Sequence, residues 1–185
     1  MRLSATWLRA FVDLSVDDHR LAEGLTSIGI AVEGISGEGA STVFEMEIGT
    51  NRPDAMNHCG VAREAAALYA TSLKPLVAEL PSGKATNDFE IEIEDKDGCA
   101  RYTAQIVRNV KIKASPEKMV ARLALVDQRS INNAADASNY TLWEMGHPTH
   151  AFDLDLLEGG KIIVRRARAG EMLKTLDGVD RKSVV

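Results

Sequence analysis

Residues 132–140 read Asn-Asn-Ala-Ala-Asp-Ala-Ser-Asn-Tyr, and residues 146–153 read Gly-His-Pro-Thr-His-Ala-Phe-Asp. Amides, hydroxyls and imidazoles crowd a short helical run and the turn after it. A plain hairpin of helices does not need that density of polar groups, whereas a pocket that hydrogen-bonds a small polar ligand does. His150 can accept or donate a proton near neutral pH and so orient a water or a ribose. Asn139 offers a donor and an acceptor without charge. Arg129, just upstream, carries a permanent charge suited to phosphate or carbonyl oxygens. Each also has a purely structural use: His150 as a cap, Asn139 as a helix-terminal amide, Arg129 as a surface base where a cation suits the end of a helix dipole. His147, His150, Asp153 and Asp155 invite a metal reading, but their spacing matches no standard ligand pattern and no cysteine joins them, so no metal is expected. His147-Pro148 reads instead as a turn aiming Thr149 and His150, and Asp153 as a cap for the segment after it. His58 and Cys59 read as turn residues before a helix at Gly60, with no chemistry of their own.

The elements around these residues follow from pattern. Ser115-Pro116-Glu117 is a helix start, with a capping hydroxyl, proline at the first position and an acid after it. That helix runs to about Asp127, and a second, roughly Asn133 to Met145, carries the polar constellation. Upstream, Ser4 to Val12 reads as a short helix, and Ser15-Val16-Asp17-Asp18 as the start of another that ends at Gly29. Ile30 to Ile35 is β-prone, Val43 to Ile48 alternates as a half-buried strand does, and Gly60 to Thr71 is an alanine-rich helix. Asn51 to Asp54 is a turn. Leu80-Pro81-Ser82-Gly83-Lys84 is the best linker candidate. Beyond it, strands are expected at Phe89 to Glu94, Tyr102 to Val110 and Lys161 to Arg165, with a tight hairpin turn at Asp177-Gly178. The fold class is α+β: a small helical N-terminal module, residues 1–80, then a mixed α/β half-module, residues 85–185.

The chain has 185 residues, 45% of them hydrophobic, enough for a real core. No run of 18 or more apolar residues appears, so no spanning helix is expected, and Met1 to Val12 is not a signal peptide. Two cysteines, Cys59 and Cys99, make no disulfide framework and suit a cytoplasmic protein. The net charge of −5 is uneven: residues 1–100 carry 8 bases against 17 acids, residues 101–185 carry 14 against 10. Residues 101–129 alone hold seven bases, Arg101, Arg108, Lys111, Lys113, Lys118, Arg122 and Arg129, against two acids. This suits either an anionic partner or a solvated basic helix face. Aromatics are too sparse there for a single-strand stacking platform. No glycine fingerprint for a nucleotide appears.

Four landmarks in order resemble one family. Arg129 to Asn133, Asn139-Tyr140 and Pro148-Thr149-His150-Ala151-Phe152-Asp153 are similar to the editing module in the β chain of bacterial phenylalanyl-tRNA synthetase. Val164-Arg165-Arg166-Ala167 and Leu173 to Val179 look like the same family. So do Ser4, Trp7-Leu8, Phe11-Val12 and Gly29 to Glu33 at the N-terminus, and Thr50-Asn51-Arg52-Pro53-Asp54 with Gly60-Val61-Ala62-Arg63-Glu64. The resemblance covers nearly the whole chain.

It implies a part of a phenylalanine-tRNA ligase, a cytoplasmic heterotetramer whose synthetic site lies on the α chain. By resemblance, Arg129, Asn139 and His150 belong to a pocket that hydrolyses mischarged tyrosyl-tRNA(Phe). Such a site has a physical purpose: a pocket built for phenylalanine rejects an added hydroxyl only roughly 100-fold, so a second, hydrolytic site is needed. The implied partners are the α chain, tRNA(Phe) and mischarged tyrosyl-tRNA, with no membrane. No cofactor is expected on this segment; ATP and magnesium belong to the full ligase. The family usually carries an OB-fold tRNA-binding domain between the segments matching Val32-Glu33 and Thr50-Asn51, where this chain has only about fifteen residues, so that domain is expected to be absent. The acidic residue with which the family reads a tyrosine hydroxyl is expected to lie beyond Val185. Two other readings stay open: a free-standing relative of the editing module, and a structural or docking module without catalysis.

Overall fold

The structure, a computed structural model, describes residues 1–76, 82–83, 89–174 and 180–182. The chain divides into two compact units, Met1–Leu80 with Lys111–Ala151, and Pro81–Val110 with Phe152–Val185. This grouping follows contacts and not sequence order: the two helices of residues 117–145 pack with the N-terminal residues.

In the first unit, strands β1 (Arg2–Ser4), β2 (Ala31–Ser36) and β3 (Val43–Glu47) form an antiparallel sheet of order β1-β3-β2. A bulge interrupts the β2–β3 register between Val32 and Gly34. Phe44 and Leu3 are fully buried, and with Leu8, Leu21, Leu25 and Ile30 they make the core. Helix α1 (Ala5–Leu8) is shorter than the expected run to Val12; Ser4 caps it by accepting from the Trp7 N–H at 3.3 Å. Helix α2 spans Asp18–Ser27 and is capped by Asp17, not by Ser15. The Arg9 guanidinium explains the later start. It donates to the carbonyls of Leu14 (3.1 Å) and Val16 (2.8 Å), which holds that segment out of the helix. Gly29, at φ +88°, ends the run as expected.

Helix α3 (His58–Leu68) begins two residues before the expected Gly60, because Asn57 is its cap and accepts from the Gly60 N–H at 2.7 Å. Helices α4 (Glu117–Leu125) and α5 (Asn133–Met145) lie close to the expected positions. Leu123 of α4 and Val126 just after its end are buried.

The second unit holds a parallel pair, β4 (Glu90–Ile93) with β5 (Lys161–Val164), and an antiparallel pair, β6 (Met172–Lys174) with β7 (Asp180–Lys182). Lys161 bonds Glu92 at 3.0 Å, and Arg166 bonds Asp95 at 2.8 Å. Asp153 caps a short 3-10 turn at Leu154–Leu156, as its sequence context suggested. The strand expected at Tyr102 to Val110 does not form; no ladder partner runs beside it among the described residues, and Val107 and Val110 stay exposed. The Asp177-Gly178 turn lies outside the described residues, as does most of the linker at Leu80 to Lys84. Among the described residues no helix is long and apolar enough to cross a membrane.

Candidate functional site

The polar run at the start of α5 is largely engaged in building the fold. Asn132 is the N-cap and accepts from the N–H groups of Ala134 and Ala135, both at 3.0 Å. Asn133 clamps an extended segment against the helix start. Its side chain accepts from Lys113 N–H at 3.1 Å and donates to the Lys111 carbonyl at 3.1 Å, while its backbone N–H donates to the Lys113 carbonyl at 2.9 Å.

Asp136 is fully enclosed. One of its oxygens accepts from the hydroxyls of Ser115 and Ser130, both at 2.5 Å, and the other accepts from the Ile131 N–H at 2.9 Å. Burial pushes this carboxyl up, but the two hydroxyls and the N–H groups of Ile131 and Asn132 outweigh it and hold the group below the usual carboxylate range. Asp136 therefore ties the segment before α4, the α4–α5 loop and α5 to one point.

One turn further along, α5 meets the N-terminal residues through aromatic groups. Trp7 is fully buried and stacks on His58 with ring centroids 4.1 Å apart; it also lies against Tyr140 at 4.6 Å. Its indole N–H donates to Glu144 at 3.1 Å. The Arg122 guanidinium sits 5.2 Å from the Trp7 ring centre and 5.9 Å from that of Tyr140, and it donates to the Tyr140 hydroxyl. Arg122 is thus part of this packing, and the sequence count of surface bases loses one member.

His58, dismissed by sequence as a turn residue, is the hub of the cluster. The Ser4 N–H donates to its Nε2 at 3.0 Å, so Nδ1 carries the proton and donates to the Trp143 carbonyl at 2.7 Å. Burial pushes His58 down to about 4, against the Trp143 carbonyl, with the Arg122 charge adding to the fall. It is a neutral structural bridge at physiological pH. Its signal in the sequence was its place one residue after Asn57, at a helix start.

The three residues nominated by sequence all belong to the first unit. Arg129 is exposed in the loop after α4, between Asp127, at φ +57°, and Ser130, held by Asp136. Asn139 is half-buried on α5, three residues after Asp136 and four before Trp143, and so flanks the packed stripe. His150 is exposed in the turn beyond Gly146, whose φ of +72° ends α5. The Ser138 hydroxyl donates to the Thr149 carbonyl at 2.7 Å and lies 2.8 Å from the Thr149 hydroxyl. That tie brings the backbone of His150 beside the stretch of α5 that carries Asn139. No direct bond joins Arg129 to either of the others among the bonds described. Two surface hollows open elsewhere: one of about 420 Å³ lined by Asp13, Ser15 and Tyr69, and one of about 510 Å³ lined by His19, Thr26 and Val32. Among the described residues no group of three or more histidine, cysteine or acidic side chains could hold a metal ion.

A family model for the B3/4 domain matches residues 98–184, a span that contains Arg129, Asn139 and His150. The chain is 37% identical over 179 residues to the phenylalanine–tRNA ligase beta subunit of Rhodopirellula baltica, which covers 96% of this chain and 26% of that protein. It is 48% identical over 145 residues to the beta subunit of the same name from Geobacter metallireducens, and 47% over 142 residues to that of Anaeromyxobacter dehalogenans. Those two alignments cover 76% and 75% of this chain but only 18% of each relative. The chain thus spans about a fifth to a quarter of the length of these curated relatives.

Proposed function

Because the chain belongs to the phenylalanine–tRNA ligase β-subunit family, of which it spans a part, we propose that it helps form a site that hydrolyses mischarged tyrosyl-tRNA(Phe). In this reading residues 1–80 are the N-terminal module and 85–185 the first half of the editing module. The segment does not aminoacylate by itself. Synthesis, with its ATP and magnesium, belongs to the complete cytoplasmic heterotetramer with the α chain.

The observation that carries the reading is the Ser138–Thr149 tie within the B3/4 match, which puts the turn bearing His150 beside α5 next to Asn139. Hydrolysis of the ester needs a water held near its carbonyl and a charge to neutralise the developing oxyanion. His150 orients that water or the terminal ribose. Asn139 supplies a neutral donor and acceptor for the ester. Arg129 faces phosphate or carbonyl oxygens of the tRNA 3′ end.

The test is deacylation of tyrosyl-tRNA(Phe) by the assembled α/β ligase carrying this segment, wild type against His150→Ala. A large loss of hydrolysis with phenylalanine charging intact is expected. Unchanged hydrolysis would reduce His150 to a structural residue. A second reading, a structural or docking module, draws on the engagement of Asn132, Asn133 and Asp136 in the fold. It requires that alanine at Arg129, Asn139 and His150 all leave hydrolysis unchanged.

A further inference from the structure

The basic run of residues 101–129 divides once the fold is known. Arg122 is packed on Trp7 and Tyr140. Lys111, Lys113 and Arg129 are exposed, and among the described residues none of them pairs with a carboxylate. The fold gathers these three. Asn133, the first residue of α5, binds the backbone of both Lys111 and Lys113. Asp136, one turn on, binds Ser115 and Ser130 through the same oxygen, so the chain two residues after Lys113 meets the chain one residue after Arg129. The backbone that carries these three cations, up to 18 positions apart in sequence, therefore converges on the start of a 13-residue helix, whose dipole adds positive potential there.

The acids of the same stretch offset this charge only in part. Asp127 is held by Arg2, whereas Asp136, enclosed among hydroxyls and N–H groups that favour its charged form, offsets one of the three cations. Glu117 stands on α4, in its first turn. The bases carry no interleaved aromatics, which points to backbone phosphates and not to stacked bases.

We propose that Lys111, Lys113 and Arg129 form a patch around the start of α5 that binds RNA backbone phosphates. Arg129 stands where the patch meets the proposed pocket, and the two lysines hold the tRNA backbone farther from the reacting ester, with Asn133 and Asp136 as the residues that assemble the patch. The inference rests on the reading of tRNA as the substrate and extends the contact surface from Arg129 to Lys111 and Lys113, outside the pocket.

The experiment uses the assembled ligase carrying this segment, wild type and the double variant Lys111→Gln/Lys113→Gln, with uncharged tRNA(Phe) titrated over a salt series. Both lysines are exposed and, among the described residues, bond through their backbones in the clamp, so the fold is preserved. Each phosphate contact contributes roughly 0.7–0.9 to the slope of log K against log salt. The variant is expected to show a slope shallower by about 1.5 and a Kd weaker by roughly tenfold at low salt. A non-cognate tRNA should lose as much, since phosphates carry no sequence. In tyrosyl-tRNA deacylation KM should rise with kcat unchanged. An unchanged Kd and slope would overturn the patch, and a loss confined to tRNA(Phe) would overturn its assignment to phosphates. The editing reading fails separately: His150→Ala with normal deacylation sinks that reading and leaves the binding result standing.

Discussion

His58 makes stability fall as the solution turns acidic, by an amount that can be worked from its surroundings. In the folded chain burial holds it at about 4, whereas a free histidine titrates near 6.5. The unfolded chain therefore binds a proton that the folded one refuses. The stabilisation is fully present above pH 6.5, declines as pH falls through 6.5, and is exhausted below about 4. Each tenfold difference in proton affinity is worth about 1.4 kcal/mol, so the full loss is roughly 3 kcal/mol, of which about 2 kcal/mol is expressed at pH 5. The chain has two tryptophans, and both border His58: Trp7 stacks on its ring and the Trp143 carbonyl accepts from Nδ1. Urea unfolding followed by tryptophan fluorescence at pH 8, 6.5 and 5 thus reads this cluster directly. His58→Gln removes the titration while keeping a donor and an acceptor, and it cancels any contribution of His19, His147 and His150. The stability difference between wild type and variant should shrink by about 2 kcal/mol between pH 8 and pH 5. A difference that stays constant over that range would refute the argument that His58 is folded as a neutral imidazole.

Two further outcomes test the packing. Asp136→Ala deprives the Ile131 N–H and two serine hydroxyls of their acceptor inside the fold. Its urea midpoint should fall by the equivalent of roughly 2–4 kcal/mol, and a loss below about 0.5 kcal/mol would mean the three donors find other partners. Gly60→Ala would place a methyl 1.9 Å from the Asp54 carbonyl oxygen, forcing α3 away from the 3-10 turn at Pro53–Ala55. A cost of about 2 kcal/mol in the same assay is expected, and wild-type stability would show that the turn yields freely.

Helix positions were legible because their signals are local. The alanine-rich run of α3, the proline and acid at the start of α4 and the glycine after α2 act within a few residues. The start of α2 was misread because the Arg9 side chain captured the carbonyls of Leu14 and Val16, a contact between elements that no local pattern reports. The strand expected at Tyr102 to Val110 failed for a related reason: β propensity needs a neighbouring strand, and none runs beside it among the described residues. Within the candidate site, residue types were visible but their tasks were not. Asn132, Asn133 and Asp136 have the composition of a ligand pocket and the geometry of a helix start. His58 was passed over because its partners, Ser4 and Trp143, lie 54 and 85 positions away.

The engagement of those amides changes what the remaining polar groups can do. Helix α5 is fixed at three heights: by Asn133 and Asp136 at its start, by the Ser138–Thr149 tie and Tyr140 against Trp7 in its middle, and by the Trp143 carbonyl on His58 and Glu144 on the Trp7 indole towards its end. A helix held at one point can roll about its axis; one held at three cannot without breaking several bonds. Asn139 therefore keeps a set angle, and the Thr149 anchor limits the excursion of the backbone at His150. Preorganised donors and acceptors of this kind avoid reorganisation as charge develops, which is what hydrolysis of an ester requires. The aromatic cluster around Trp7 then has a second consequence beyond stability, because it sets the orientation of the helix on which the proposed pocket is mounted.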